Sequence, residues 1–194
     1  MSGGYEFTAA EITDLLAKLD ERLRARGASA TVFIVGGAAI AVRSRQYLRQ
    51  TEDIDAITRD EIVLHEARGL ATEIGLPRNW LNGRASMWMP PVPEDALAPV
   101  TEPGLHITYA TDEFLLATKL IAQRRKDARD ILELAARAGL TDATADELEA
   151  LIYRYYTDAG ALEFIVDGTD TQTEVRLLAD HAAQLLARGR SLDG

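Results

Sequence analysis

Two aspartates in a short alternation of polar and apolar residues are the first side chains whose types could do chemistry. They lie in the segment TEDIDAI, residues 51–57. The alternation predicts a β-strand on which Asp53 and Asp55 share one face. Neighbouring carboxylates repel each other unless a cation lies near them, and Mg²⁺ commonly binds one or two carboxylates together with substrate phosphates. The pair therefore predicts a site for Mg²⁺ or Mn²⁺, with a solvated strand face as the alternative.

Two glycines upstream could hold a phosphate. The β-branched run TVFIV, residues 31–35, predicts a buried strand that leads directly into Gly36, Gly37 and a helix of small residues. Glycines let a phosphate approach backbone N–H groups, and a helix N-terminus favours an anion. A tight turn that only needs glycine for its geometry is the alternative interpretation.

A later charged stretch supplies a third group of candidates. Its residues are Lys119, Arg124, Arg125, Lys126, Asp127, Arg129 and Asp130. If one helix continued through the stretch, a single stripe would hold Lys119, Gln123, Lys126 and Asp130. The lysine could then neutralise a triphosphate, and Asp127 or Asp130 could act as a base or an outer metal ligand. The alternative is a surface helix with ion pairs such as Lys126 with Asp130.

Helices and strands that could position these residues follow from their start and stop signals. Thr8 and Glu11 form a capping-box pattern before a helix that stops near Gly27. Further helices are predicted at about 60–74, 145–156 and 171–187. Thr111 is predicted to cap another, and either this helix continues or a second helix follows a break, up to Gly139. A third strand is predicted at 105–110. The order indicates a mixed α/β (α+β) fold: a small sheet flanked by helices at 1–110, followed by a helical C-terminal part at 111–194, packed as one compact unit.

The stretch 76–104 contains all six prolines and both tryptophans, Trp80 and Trp88. This composition predicts a long loop that covers part of the molecule and includes one short strand. Loops of this length in a compact domain are usually functional. The tryptophans either stack on a base or attach the loop to the core.

Composition and charge exclude several classes of protein. The 194 residues include no cysteine and three histidines, which disfavours disulfides and zinc sites. No apolar run is long enough to cross a bilayer, and the first residues lack the features of a secretion signal, so we expect a cytoplasmic protein without a membrane partner. The net charge of −10 argues against a surface for duplex DNA. Seven of the 21 basic residues nevertheless lie in two short stretches near the candidate residues: Arg43, Arg45, Arg49, Arg124, Arg125, Lys126 and Arg129.

The order strand, Gly-Gly, helix, then Asp-x-Asp resembles the nucleotidyltransferase (polymerase β-like) superfamily. Three flanking motifs resemble AbiEii/MenT-type toxins and related small uncharacterised nucleotidyltransferases: Arg49-x-Thr51-x-Asp53-Ile54-Asp55, Lys119-Leu120-x-Ala122 and Lys126-Asp127-x-x-Asp130-Ile131. Trp80-Leu81-Asn82 also resembles a recurring element of the uncharacterised group.

The resemblance implies a role for each matching residue. Asp53 and Asp55 would bind metal, and Gly36 and Gly37 would contact the triphosphate. Thr51 would match a hydroxyl residue of the nucleotide site. Lys119 would neutralise phosphate, and Asp130 would match the late acidic residue of the family. Arg49 and Asp127 would have supporting roles. The superfamily often has a third carboxylate on a later strand, whereas residues 105–110 contain no acid.

These features together predict a metal-dependent nucleotidyltransferase that transfers a nucleoside monophosphate from a nucleoside triphosphate to an acceptor hydroxyl. The resemblance implies the toxin of a toxin–antitoxin pair, acting on the tRNA 3′ end, with a cognate antitoxin as partner. One alternative is modification of a protein or of a small molecule such as an aminoglycoside. Another is an inactive nucleotidyltransferase fold that serves as a binding module or antitoxin.

Overall fold

The computed structural model describes residues 5–44, 48–166 and 170–193. The predicted mixed α/β fold is confirmed, with a four-stranded mixed sheet and a largely helical remainder. The chain divides into two compact units: Met1–Met87 with Val92–Ala110, and Trp88–Pro91 with Thr111–Gly194. That the two parts pack as one compact body stays a prediction. Arg45 of the predicted basic stretch lies outside the described residues.

The first unit contains the sheet and three helices. Its strands are β1 (Ser29–Ile34), β2 (Ile54–Ile57), β3 (Leu81–Asn82) and β4 (Gly104–Tyr109). Its helices are α1 (Ala9–Ala25), α2 (Gly36–Arg43) and α3 (Glu61–Ile74). The one short strand predicted in the proline-rich loop is β3, and two 3-10 turns follow it at Arg84–Met87 and Glu94–Leu97.

The strand order β3-β2-β1-β4 decides which loops meet. Strand β1 is antiparallel to β2 and parallel to β4, and β2 is parallel to β3. In register, Ile34 pairs with both Ala56 and Tyr109, and Asp55 pairs with Asn82. The C-terminal ends of β1 and β4 therefore lie at the same edge of the sheet as the N-terminal ends of β2 and β3.

Helix α1 forms as its sequence predicts. The Thr8 hydroxyl accepts a hydrogen bond from the Glu11 amide, and the Glu11 carboxylate accepts one from the Thr8 amide, which completes the capping box. One face of the helix buries Ile12, Leu15, Leu16, Leu19 and Leu23. This apolar face packs against β4, α2 and α3, so α1 supports the sheet that positions the candidate residues.

The second unit is helical: α4 (Asp112–Ala122), α5 (Ala128–Arg137), α6 (Ala145–Tyr155), α7 (Ala159–Ile165) and α8 (Thr171–Asp193). The sequence left open whether one helix continues through the charged stretch or a second helix follows a break, and the structure shows the break. Helix α4 ends where Gln123 adopts a left-handed conformation with φ of 32°, and a 3-10 turn at Arg125–Asp127 precedes α5. The predicted stripe of Lys119, Gln123, Lys126 and Asp130 therefore does not form. Helix α7 was not predicted.

Within the described ranges, no helix combines the length and apolar character that a membrane span requires.

A buried ion pair joins α1 to α3. The Glu66 carboxylate, 1% exposed, lies 3.1 Å from Arg22 Nε and 3.0 Å from Arg26 Nε. Arg22 also pairs with Glu73, which is 59% exposed. A buried carboxylate needs such partners because desolvation of an unpaired charge is costly.

We predict that Glu66→Gln lowers the free energy of unfolding by about 1–3 kcal/mol, because Arg22 and Arg26 lose the counter-charge of the buried carboxylate. The matched control is Glu73→Gln, which removes an exposed charge from the same arginine and changes stability by less than about 1 kcal/mol. Urea unfolding followed by circular dichroism measures both. Equal losses in the two variants would contradict the prediction.

Candidate active site

The turn from β1 into α2 needs a glycine. Gly36 has φ of +62°, in the left-handed region that residues with a Cβ rarely adopt. A Cβ on Gly36 would also lie 2.7 Å from Asp55 Oδ2, closer than atoms normally approach. The absence of a side chain therefore allows the Asp55 carboxylate to lie directly against the backbone that opens α2.

The second glycine contacts the segment that precedes β2. A Cβ on Gly37 would lie 2.9 Å from Thr51 Oγ1 and 3.2 Å from Arg49 Nη2. The Val35 amide donates to the Asp55 carbonyl at 3.0 Å, which connects the same two segments. The first unit thus brings together the predicted residues Gly36, Gly37, Arg49, Thr51 and Asp55.

The structure shortens the predicted aspartate strand. Strand β2 begins at Ile54, so Asp55 lies on the strand and Asp53 lies in the bend before it. Thr51 instead forms an isolated antiparallel bridge with Phe7, in which the Phe7 amide donates to the Thr51 carbonyl at 2.7 Å. The Thr51 hydroxyl donates to the Asp53 carbonyl at 3.1 Å. These bonds fix the conformation of the bend and therefore the position of the Asp53 backbone.

One residue of the site has no role in the sequence-based predictions. Asn82 Nδ2 donates a hydrogen bond to Asp53 Oδ2 at 2.9 Å. The motif that contains Asn82 was noted as a resemblance, but no sequence pattern pairs residue 82 with residue 53. The contact depends on the short parallel pairing of β2 with β3, which cannot be inferred from two residues of strand.

The two carboxylates fit a divalent cation bound together with a nucleotide. Asp53 and Asp55 are both half-buried. In the part of the chain that the structure describes, no ion pair involves Asp53, and no group of three or more His, Cys, Asp or Glu side chains could hold a metal. Two carboxylates with substrate phosphates are a normal Mg²⁺ environment, whereas a site made only of protein ligands would need more oxygens.

Strand β4 does not supply the third carboxylate at this edge. The residue in register with Ile34 is Tyr109, a phenol. Burial raises the pKa of Tyr109, so the side chain is neutral at physiological pH and does not replace an acid.

The other predicted residues form a buried ion-pair cluster in the second unit. Lys119 Nζ lies 2.5 Å from Asp127 Oδ1 and 3.0 Å from Asp130 Oδ2, and both aspartates are buried. Asp127 Oδ2 also accepts a hydrogen bond from the Arg124 amide at 3.2 Å. After the break at the end of α4, the 3-10 turn supplies Asp127 and α5 supplies Asp130, and both contact Lys119. The catalytic roles of Lys119 and Asp130, and the supporting role of Asp127, stay predictions.

Comparison with known protein families identifies the family of this sequence. The sequence profile of a family described as nucleotidyltransferase of unknown function (DUF6036) matches residues 10–161. The chain belongs to this family. The predicted membership of the nucleotidyltransferase superfamily is therefore confirmed, while the closer resemblance to AbiEii/MenT-type toxins stays a prediction. The range matched in this nucleotidyltransferase includes every candidate residue in both units. No curated protein and no solved structure matches the chain.

We predict that Gly36→Ala greatly weakens binding of Mn²⁺ with a non-hydrolysable nucleoside triphosphate, because the new Cβ displaces the Asp55 carboxylate. The matched control is Gly27→Ala. Gly27 has a similar φ of +63° but no atom within 4 Å of an added Cβ. Both variants carry the left-handed backbone cost of about 1–2 kcal/mol, so Gly27→Ala controls for that cost without the contact with Asp55. Calorimetry that finds the same binding in both would contradict the role of the Gly36–Asp55 contact.

We also predict that Lys119→Met destabilises the protein by about 3 kcal/mol, because it removes the cation that contacts both buried carboxylates. The triple variant Lys119→Met, Asp127→Asn, Asp130→Asn should recover most of this loss, as measured by urea unfolding. Nucleotide transfer by the triple variant then separates the two roles. Transfer at the wild-type rate would show that the cluster is structural only, and loss of transfer in a stable triple variant would support the predicted catalytic role.

Proposed function

We propose that this protein transfers a nucleoside monophosphate from a nucleoside triphosphate to an acceptor hydroxyl, in a reaction that depends on Mg²⁺ or Mn²⁺. The main support is the contact of the Gly36–Gly37 turn with Asp55, two residues after Asp53, in a chain that belongs to a nucleotidyltransferase family. The arrangement places backbone N–H groups beside paired carboxylates, which suits a triphosphate and its cation.

The candidate residues of the first unit take the following roles in this proposal. Asp53 and Asp55 hold the cation through their carboxylate oxygens. Gly36 and Gly37 supply the first backbone N–H groups of α2, which point away from the helix and can donate to phosphate oxygens. Arg49 lies against Gly37, where its guanidinium adds positive charge for the same phosphates. A bound Mg²⁺ supplies the charge that stabilises the transferring phosphoryl group and the leaving pyrophosphate.

The reaction conserves atoms and charge. The acceptor oxygen forms a bond to the α-phosphorus, the bond from the α-phosphorus to the bridging β-oxygen breaks, and pyrophosphate leaves with that oxygen. The proton of the acceptor hydroxyl passes to a base or to water. The protein accelerates this step by alignment of the triphosphate and by electrostatic stabilisation, the terms that dominate phosphoryl transfer.

For the acceptor, we propose the 3′ end of tRNA, with the protein acting in the cytoplasm as the toxin of a toxin–antitoxin pair and bound by a cognate antitoxin. The support is the resemblance of the motifs around Arg49, Lys119 and Lys126 to AbiEii/MenT-type toxins. Exposed basic side chains suit an RNA end: Arg43 in the first unit, and Arg124, Arg125, Lys126 and Arg129 in the second. A protein or an aminoglycoside-type small molecule is the alternative acceptor.

A second candidate function is an inactive nucleotidyltransferase fold that acts as a binding module or antitoxin. The observation in its favour is the carboxylate count. Among the described residues, no third acid joins Asp53 and Asp55. Such a protein would still bind its partner but would not transfer nucleotide.

We predict that labelled nucleoside triphosphates with Mg²⁺ transfer label to tRNA, and that Asp53→Asn and Asp55→Asn each lower the rate at least about 100-fold, a loss of several kcal/mol in transition-state stabilisation. The matched control is Glu52→Gln, which changes the exposed acid directly before Asp53 and should transfer at a nearly unchanged rate. Parallel reactions with proteins and aminoglycosides identify the acceptor. Absence of transfer to every acceptor by the folded wild type would instead favour the inactive module.

A further inference from the structure

The proline-rich loop places one amide side chain against the candidate metal site. Asn82 is the second residue of β3, is 8% exposed, and lies in register with Asp55. Its Nδ2 donates to the Asp53 carboxylate at 2.9 Å. This diagonal contact connects neighbouring strands at the edge of the sheet where β2 begins.

The orientation of the Asn82 amide is determined by its other hydrogen bonds. Asn82 Oδ1 accepts from the Arg84 amide at 3.0 Å, so the opposite end of the group must be the NH₂. One N–H of that NH₂ is directed at Asp53, and Nδ2 also lies 3.3 Å from the Asn79 carbonyl. A side chain with all its polar atoms engaged in this way has one rotamer, and so it fixes the carboxylate that it contacts.

The attachment of the loop does not depend on this amide. The Trp80 carbonyl accepts from the Ile54 amide at 2.6 Å, and the Trp80 indole N–H donates to the Ala67 carbonyl at 2.9 Å. Both bonds hold β3 against β2 and α3 through the residue two positions before Asn82. The side chain of Asn82 is therefore available for a role other than holding the strand.

The chemistry of the donor distinguishes this contact from an ion pair. A lysine or arginine at the same place would orient Asp53 but would also neutralise it, and so would compete with a divalent cation. An amide donates a hydrogen bond and carries no net charge, so the carboxylate keeps its full charge. Groups that orient metal ligands in this manner strongly affect metal affinity.

We propose that Asn82 is a positioning residue that orients the Asp53 carboxylate for a divalent cation while leaving its charge available. The inference rests on the proposed function, because it takes Asp53 to be a metal ligand. It also gives the proline-rich loop a role in the site, because the loop carries the hydrogen-bond donor that contacts Asp53.

The test is Mn²⁺ binding in the presence of a non-hydrolysable nucleoside triphosphate, measured by electron paramagnetic resonance on the full chain. Asn82→Ala should weaken Mn²⁺ binding roughly 10- to 100-fold. The matched control is Asn79→Ala, which removes an exposed asparagine side chain from the same loop but leaves the carbonyl that contacts Asn82; its affinity should equal that of the wild type.

Two further measurements separate positioning from a structural role. The Ile54 amide, which bonds to Trp80, should keep its hydrogen-exchange protection in Asn82→Ala. In a double-mutant cycle, Asn82→Ala should reduce the Mn²⁺ affinity by a much smaller factor in an Asp53→Asn background than in the wild type. The reason is that both substitutions disturb the same metal ligand. Lost protection of Ile54, or additive effects in the cycle, would overturn the proposal.

The experiment also distinguishes the two proposals. If the wild type binds Mn²⁺ with nucleotide, Asp53→Asn binds it measurably but much more weakly, and Asn82→Ala binds as the wild type does, then the positioning role is wrong and the proposed function stands. If the wild type itself shows no binding, both proposals are wrong.

Discussion

The close approach of two chain segments is the constraint on which the candidate site depends. At the end of β1, Gly36 and Gly37 occupy positions where a Cβ would collide with Asp55 Oδ2 or Thr51 Oγ1. Because neither position has a side chain, the first turn of α2 lies against the segment that carries the acids, and the Val35 amide reaches the Asp55 carbonyl. Backbone donors and carboxylates thus share a small volume, which is the requirement for binding a phosphate together with its cation.

The parts of this arrangement that depend on local sequence could be predicted. The capping box at Thr8, the glycine turn after β1 and the short strand in the proline-rich loop all have local signals. The bond from Asn82 to Asp53 could not be predicted, because the strand that makes it has two residues and the partners are far apart in sequence. Whether the helix that begins after Thr111 continues or breaks could not be decided from the sequence, because Gln123, which adopts the left-handed conformation, has no strong helix-stopping character.

The protein treats its candidate carboxylates in two contrasting ways. In the second unit, Lys119 contacts both Asp127 and Asp130, so each buried carboxylate has a cation against it within the fold. In the first unit, Asp53 receives a hydrogen bond from a neutral amide, which orients the carboxylate without compensating it. Lys119 therefore stabilises the buried acids of the second unit, whereas the Asp53 carboxylate, oriented by a neutral amide, would gain from a cation that arrives with a ligand.

The placement of the two tryptophans has a practical consequence for spectroscopy. Trp80 belongs to the first unit and has no solvent exposure, with its indole N–H bonded to the Ala67 carbonyl. Trp88 belongs to the second unit, is 49% exposed, and stacks on Phe164 at a centroid distance of 6.1 Å. Each unit thus carries its own intrinsic fluorophore, one shielded from aqueous quenchers and one accessible to them. Iodide quenching of the emission can therefore report on the two units separately in an unlabelled protein.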